Sequence, residues 1–151
     1  MAKNEWFMAQ LKSKAEAYCA RAEHCVSDVR RKLEEWCASS EQCDAILSSL
    51  LADKYIDQER YCHAYVHDKV AYQGWGRMKI RAGLYAKHIP SNLIDIALAS
   101  IDDAVYADVL QRVIISKRRT LKSNDPQARE KLLRFCMQRG FTYEEILEVI
   151  E

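Results

Sequence analysis

Sliding the chain along itself by 51 and then by 52 residues brings Val29 onto Ile80 and Leu132, Leu33 onto Leu84 and Cys136, and Ala38 onto Ile89 and Phe141. The same shifts bring Cys43 onto Ile94 and Ile146, Ile46 onto Ala97 and Val149, and Leu47 onto Leu98 and Ile150. All of these columns are apolar. Such a period means that one supersecondary unit is used three times, each copy burying its own stripe and touching mainly its neighbour. The chain is therefore expected to be an elongated, curved array and not a sphere around one centre.

The unit itself reads as helical. Four glycines and two prolines in 151 residues are too few punctuators for a chain of strands and tight turns. Phe7, Leu11, Ala15, Tyr18 and Ala22 recur at spacings of four and three, the stripe of one helix over about 4–24. Ser27 is the expected cap of a second helix carrying Val29, Leu33 and Trp36, and Ser39 with Gln42 has the form of a capping box for a third. Asp57 is placed to cap a fourth helix reaching about Tyr72, a fifth holds Ile80 and Leu84 as far as about Lys87, and Pro90 with Ser91 opens a sixth. Asp102 and Asp103 precede a seventh, Asp125 and Pro126 announce an eighth, and Thr142 with Glu145 forms a second capping box for the last. The expected fold is all-α, with nine short helices in three tandem three-helix repeats over 1–56, 57–101 and 102–151.

Three of the four glycines fall in GWGRMKIRAGLYAKHIP, residues 74–90. A dinucleotide fingerprint needs G-x-G-x-x-G directly after a strand, and a Walker loop needs G-K-[ST]; neither is present. Gly74 is expected to end one helix in the left-handed conformation and Gly76 to begin the next. With Ile80 and Leu84 inward, Met78, Ala82 and Tyr85 face outward beside Lys79 and Arg81.

Charge is sectored although the net value is only +1. Lys69 to Asn92 holds five basic residues and no acid, and Gln111 to Gly140 holds nine against Asp125 and Glu130. Such sectors attract phosphates or acidic protein surfaces. Catalytic signatures are lacking. His63 and His67 have metal-sharing spacing, but Ala64 stands where H-E-x-x-H needs its glutamate, so no metal site is expected. The six cysteines form no C-x-x-C pair and are expected to be buried thiols in a reducing cytoplasm. No apolar run reaches a membrane span and no secretory signal is legible.

The run LADKYIDQERYCHAYVHDKVAYQGWGRMKIRAGLYAKHIP resembles the central repeat of the RecX family of regulatory proteins, through Tyr55, Ile56, Asp57, Arg60, Tyr61, Gly74, Gly76, Ile80, Leu84 and Ile89. The closing RFCMQRGFTYEEILEVI is similar to the family's last signature, and the resemblance covers about 15–151. Gln58 departs from the pattern where a second aspartate is usual, as do Cys37 and Ala38 where a glycine often ends the basic helix.

The resemblance implies a cytoplasmic, non-enzymatic bacterial modulator; no cofactor and a monomer are expected, with the sequence itself leaving the oligomeric state open. Such a protein binds the RecA recombinase filament on single-stranded DNA and inhibits recombinase and coprotease activity, thereby modulating recombination, DNA repair and the SOS response. Weak contact with single- or double-stranded DNA is also expected, and the alternative is a helical module that binds nucleic acid directly. Either way the candidate contacts are the basic residues Lys79, Arg81, Lys87, Arg112, Lys117, Arg118, Arg119, Lys122, Arg129, Lys131, Arg134 and Arg139. The SKRRTLKSN stretch, with high charge and little apolar content, is expected to be the most mobile.

Overall fold

The computed structural model describes residues 2–150, and the described residues form nine α-helices and no strand. The first unit contains α1 (Ala2–Arg21), α2 (Val26–Glu35) and α3 (Ser40–Ala52). The second contains α4 (Gln58–Ala71), α5 (Arg77–Ala86) and α6 (Ser91–Ala99). The third contains α7 (Asp103–Arg118), α8 (Ala128–Gln138) and α9 (Tyr143–Ile150).

Most caps sit where the sequence puts them. Ser39 and Gln42 exchange both bonds of a capping box, as do Thr142 and Glu145. Asp57 accepts the Arg60 amide at 3.0 Å, and Asp102 accepts that of Val105 at 3.0 Å. Two starts differ. Ser27 does not cap α2, whose N-cap is Cys25; its hydroxyl instead donates to the Lys87 carbonyl of the second unit at 2.9 Å. Asp125 accepts the Gln127 amide at 2.8 Å and so closes a turn ahead of α8, which begins only at Ala128. Within SKRRTLKSN, α7 continues through Arg118, and Leu121 packs on the core.

Of the repeating columns, every member is buried except Ala38, Val149 and Ile150, which are half-buried. Repetition extends to the backbone. Cys37, His88 and Gly140, related by the same 51- and 52-residue shifts, all have positive φ (68°, 61° and 102°) just beyond the middle helix of their unit. Gly74 also ends its helix at positive φ, 67°, and Gly76 is the N-cap of α5.

The apolar interior is divided. Leu11, Ala15, Val29, Leu33, Ile46, Leu50 and Ile56 close a core within the first unit. The second and third units share one continuous core running from Val66 and Ile80 through Tyr106 and Leu110 to Phe141 and Ile146. The accessible surface is 9562 Å², against about 7,900 Å² for a compact monomer of this mass. The excess is what three units in a row expose.

Candidate partner-binding surface

The two junctions between units set which cations remain outward, and they are built by one plan from different chemistry. Each places a tyrosine from the first helix of one unit beneath the start of the preceding unit's middle helix. Between the first and second units this is Tyr61, packed with Cys25 in the shared core. Between the second and third it is Tyr106, whose hydroxyl accepts the Arg77 amide at 3.0 Å. Burial pushes the Tyr61 hydroxyl far above its ordinary value and that of Tyr106 to about 12.

Around Tyr61 the junction is polar. Lys87 Nζ meets Asp28 Oδ1 at 2.6 Å, Arg60 pairs with Glu23, and Gln58 Oε1 accepts the Val26 amide at 3.2 Å. Gln58, the departure from the family pattern, therefore supplies the side-chain acceptor that α2 lacks at its own N-cap. Around Tyr106 the backbones themselves meet. Gly76 N donates to Arg139 O at 2.7 Å and Met78 N to Gly140 O at 3.1 Å. A Cβ on Gly76 would strike the Gly140 carbonyl, which is why this position is glycine. Arg77 lies 3.9 Å over the Tyr106 ring and reaches Asp103 and Glu145, tying the same units together.

The twelve sequence-chosen cations divide by environment. Lys87 is consumed by Asp28, a structural use that the sequence did not reveal. Arg81 pairs with Asp95 at 2.7 Å, Lys131 with Asp125 at 2.6 Å and Arg112 with Asp108 at 3.2 Å. The Arg81 and Arg112 pairs are solvent-exposed, of the kind that costs little to exchange for a partner's acid, whereas the Asp125 partner of Lys131 is largely covered. Lys79 sits 4.4 Å over the Trp75 ring, and Lys117 4.8 Å over Phe135. Arg139 stacks 5.0 Å from Phe135 and donates to the Gln73 carbonyl at 2.8 Å. Arg118, Lys122 and Arg129 line a shallow hollow between α7 and α8, while Arg134 lines another with Met137 and Tyr143. Arg119, exposed, follows α7 as its C-cap.

Arg112 and Arg139 come together. They line a cavity of about 220 Å³ between the end of α4, α7 and α8, with Val109, Val113 and Phe135 as its apolar wall and Tyr72 on its rim. Sequence reasoning missed the aromatic half of this surface. Trp75, Phe135 and Tyr72 lie in or beside the two basic sectors, and that interleaving was the available signal. Lys69, also unselected, is 5.0 Å from the Trp75 ring. On the outer side of α5, Met78 and Tyr85 are exposed as expected.

His63 and His67 line a separate apolar cleft, where His63 Nδ1 is 3.3 Å from Ser100 Oγ. Five cysteines are buried, whereas Cys37, expected to be buried, is exposed because its left-handed backbone turns the side chain outward. Burial raises the thiols of Cys19, Cys43 and Cys136, and that of Cys62 to about 11, a condition that makes them poor nucleophiles. No helix among the described residues is long and apolar enough to cross a membrane.

Comparison with known proteins follows the same division into units. The family model for the second three-helix domain of RecX matches residues 57–98, and that for the third matches 105–150. The regulatory protein RecX of Leptothrix cholodnii is 30% identical over 142 residues, covering 93% of this chain and 87% of that protein. That of Herbaspirillum seropedicae is 27% identical over 143 residues, 93% and 89% of the two chains. Against that of Chlorobaculum tepidum the identity is 37% over 76 residues, a stretch that spans only 46% of that protein. The crystal structure of RecX from Lactobacillus salivarius superimposes with a TM-score of 0.83 at 18% identity, over 99% of this chain and 96% of the other, a likeness of fold.

Proposed function

This chain belongs to the RecX family of regulatory proteins, and from that premise we propose that it binds RecA and its filament on single-stranded DNA. By occupying the filament groove it inhibits recombinase and coprotease activity, and so modulates recombination, DNA repair and the SOS response in the cytoplasm. The observation that carries the reading is the elongated surface: three units in a row expose about a fifth more area than a compact globule of this mass, a form that suits binding along a polymer. Its exposed ion pairs and half-covered cations supply electrostatic complementarity to an acidic protein face. The unit boundaries of this reading fall at 56/57 and 101/102.

The test is RecA-dependent ATP hydrolysis on single-stranded DNA with increasing amounts of this protein. Inhibition is expected well below the amount needed to cover the DNA. A second reading, direct nucleic-acid binding, is favoured by the hollow that Arg118, Lys122 and Arg129 line together. On that reading inhibition tracks DNA coverage and binding without RecA falls steeply with salt.

A further inference from the structure

The repeat makes the two junctions directly comparable, and one position pair differs in sign. Under the 51- and 52-residue shifts, Asp28 falls on Lys79 and Lys87 falls on Arg139. At the first junction these positions form the ion pair of 2.6 Å, and Asp28 is the one buried charged residue among those described. At the second junction both are cations. The backbone bonds from Gly76 to Arg139 and from Met78 to Gly140 hold the two backbone segments side by side, with Gly140 seated against the Lys79 backbone.

Neither cation meets a carboxylate among the described residues. The Lys79 ammonium turns onto the Trp75 ring, where Lys69 also points, and Arg139 makes do with the Gln73 carbonyl and the Phe135 face. Arg112 shares the adjoining cavity, held only by its exposed neighbour Asp108. Cations of both units gather at this junction, Lys69 with its neighbour Asp68 at 3.6 Å, but Lys79 and Arg139 lack the acid that the same architecture employs one unit earlier.

We propose that a carboxylate side chain of a protein partner completes this junction, bridging Lys79 and Arg139 as Asp28 meets Lys87. The inference rests on the reading of the partner as a protein and names the group by which it is recognised. The guanidinium fork of Arg139 matches a planar carboxylate in two parallel bonds. Arg139 lines the cavity whose wall of Val109, Val113 and Phe135 receives the methylene stem of the acidic residue, while Lys79 stands outside that cavity, over Trp75. A nucleic acid is the poorer fit. Single strands are bound by an extended track of cations with open aromatic faces for the bases, whereas Trp75 and Phe135 are half-buried here, each with a cation over its ring.

The test is Lys79→Asp, which rebuilds the first junction's ion pair within the chain. Hexaglutamate is titrated into wild type and variant at low salt, followed by the Trp75 indole resonance, alongside the filament assay. The wild type is expected to bind, and the variant to lose affinity at least about tenfold and filament inhibition with it, while melting no earlier than wild type. Lys14→Asp, an equal change of charge in the first unit, leaves both readouts within about twofold of wild type, since an exposed charge far from the site is screened. Arg139→Gln, which keeps a donor for the Gln73 carbonyl, provides a second variant and loses affinity similarly. Unchanged hexaglutamate binding in both variants overturns the proposal, and so does a wild type that binds a thymidine oligonucleotide but not hexaglutamate. A wild type that binds hexaglutamate through Lys79 yet leaves RecA uninhibited upholds this site and refutes the proposed function.

Discussion

Cys37, His88 and Gly140 occupy one structural position, and only the last is a glycine. A residue with a Cβ in the left-handed region costs about 1 kcal/mol, so the first two units carry a small strain that the third avoids. His88→Gly is expected to stabilise by about 0.5 kcal/mol after the added freedom of the unfolded chain, raising the melting temperature by about 1–2 °C. Gly140→Ala should do the reverse and more. Its φ is 102°, and a Cβ there comes within 2.6 Å of the Lys79 amide, so relief requires breaking the backbone bonds between units. A loss of about 2–4 kcal/mol in urea unfolding is expected. Gly83 has another reason: a Cβ on it would strike the Tyr65 hydroxyl, which lies across α5. Gly83→Ala alone is expected to lower stability, and adding Tyr65→Phe to recover much of the loss, since alanine is worth about 1 kcal/mol over glycine inside a helix. The sequence shows that glycines punctuate at 74 and 76 but not that Gly83 is a packing site, because its contact partner lies eighteen residues away on another helix.

Helix starts were legible at Ser39, Asp57, Asp102 and Thr142, where the cap and the capped amide belong to the same segment, whereas Asp125 caps only a turn ahead of α8. They were illegible where another unit supplies the acceptor: α2 takes its acceptor from Gln58, and Ser27 turns outward to Lys87. Local caps carry a pH signature. The Arg60 amide donating to Asp57 holds that carboxyl below its ordinary value, with the Arg60 charge adding to the effect. A depressed folded-state value means that the cap's contribution is present above about pH 4 and is lost as pH falls through the folded value. Asp57→Ala should therefore cost about 1 kcal/mol near neutrality, with the gap to wild type closing in a series of urea midpoints as pH falls below the ordinary carboxylate range. Asp57→Asn keeps an acceptor that does not titrate, so its stability is expected to follow wild type near neutrality and to fall less steeply in acid.

At the scale of the molecule, the period in the sequence foretold three units, but not that two of them share a core while the first stands on a polar seam. Nor could it sort the cations, because Lys87 and Arg77 look like any other basic residue until the partner unit is in place. The seam makes α1–α3 separable in energy from α4–α9. Its central charge pair is well covered, the Asp28 and Lys87 side chains being 11% and 33% exposed. Removing Lys87 leaves Asp28 only the exposed Arg31 at 3.8 Å, at a cost of about 2 kcal/mol once the exposure of Lys87 is allowed for. Lys87→Met is therefore expected to speed amide exchange in α1–α3 and leave the central amides of α5, α7 and α8 near their wild-type rates. Asp28→Leu combined with Lys87→Met, which leaves no stranded charge, should return α1–α3 towards wild-type protection. Equal acceleration in all nine helices would mean that the units unfold as one and that the polar seam is no weaker than the shared core. If the double variant also inhibits RecA as wild type does, Lys87 serves the fold alone, and the search for partner contacts narrows to the second junction and the cations beyond it.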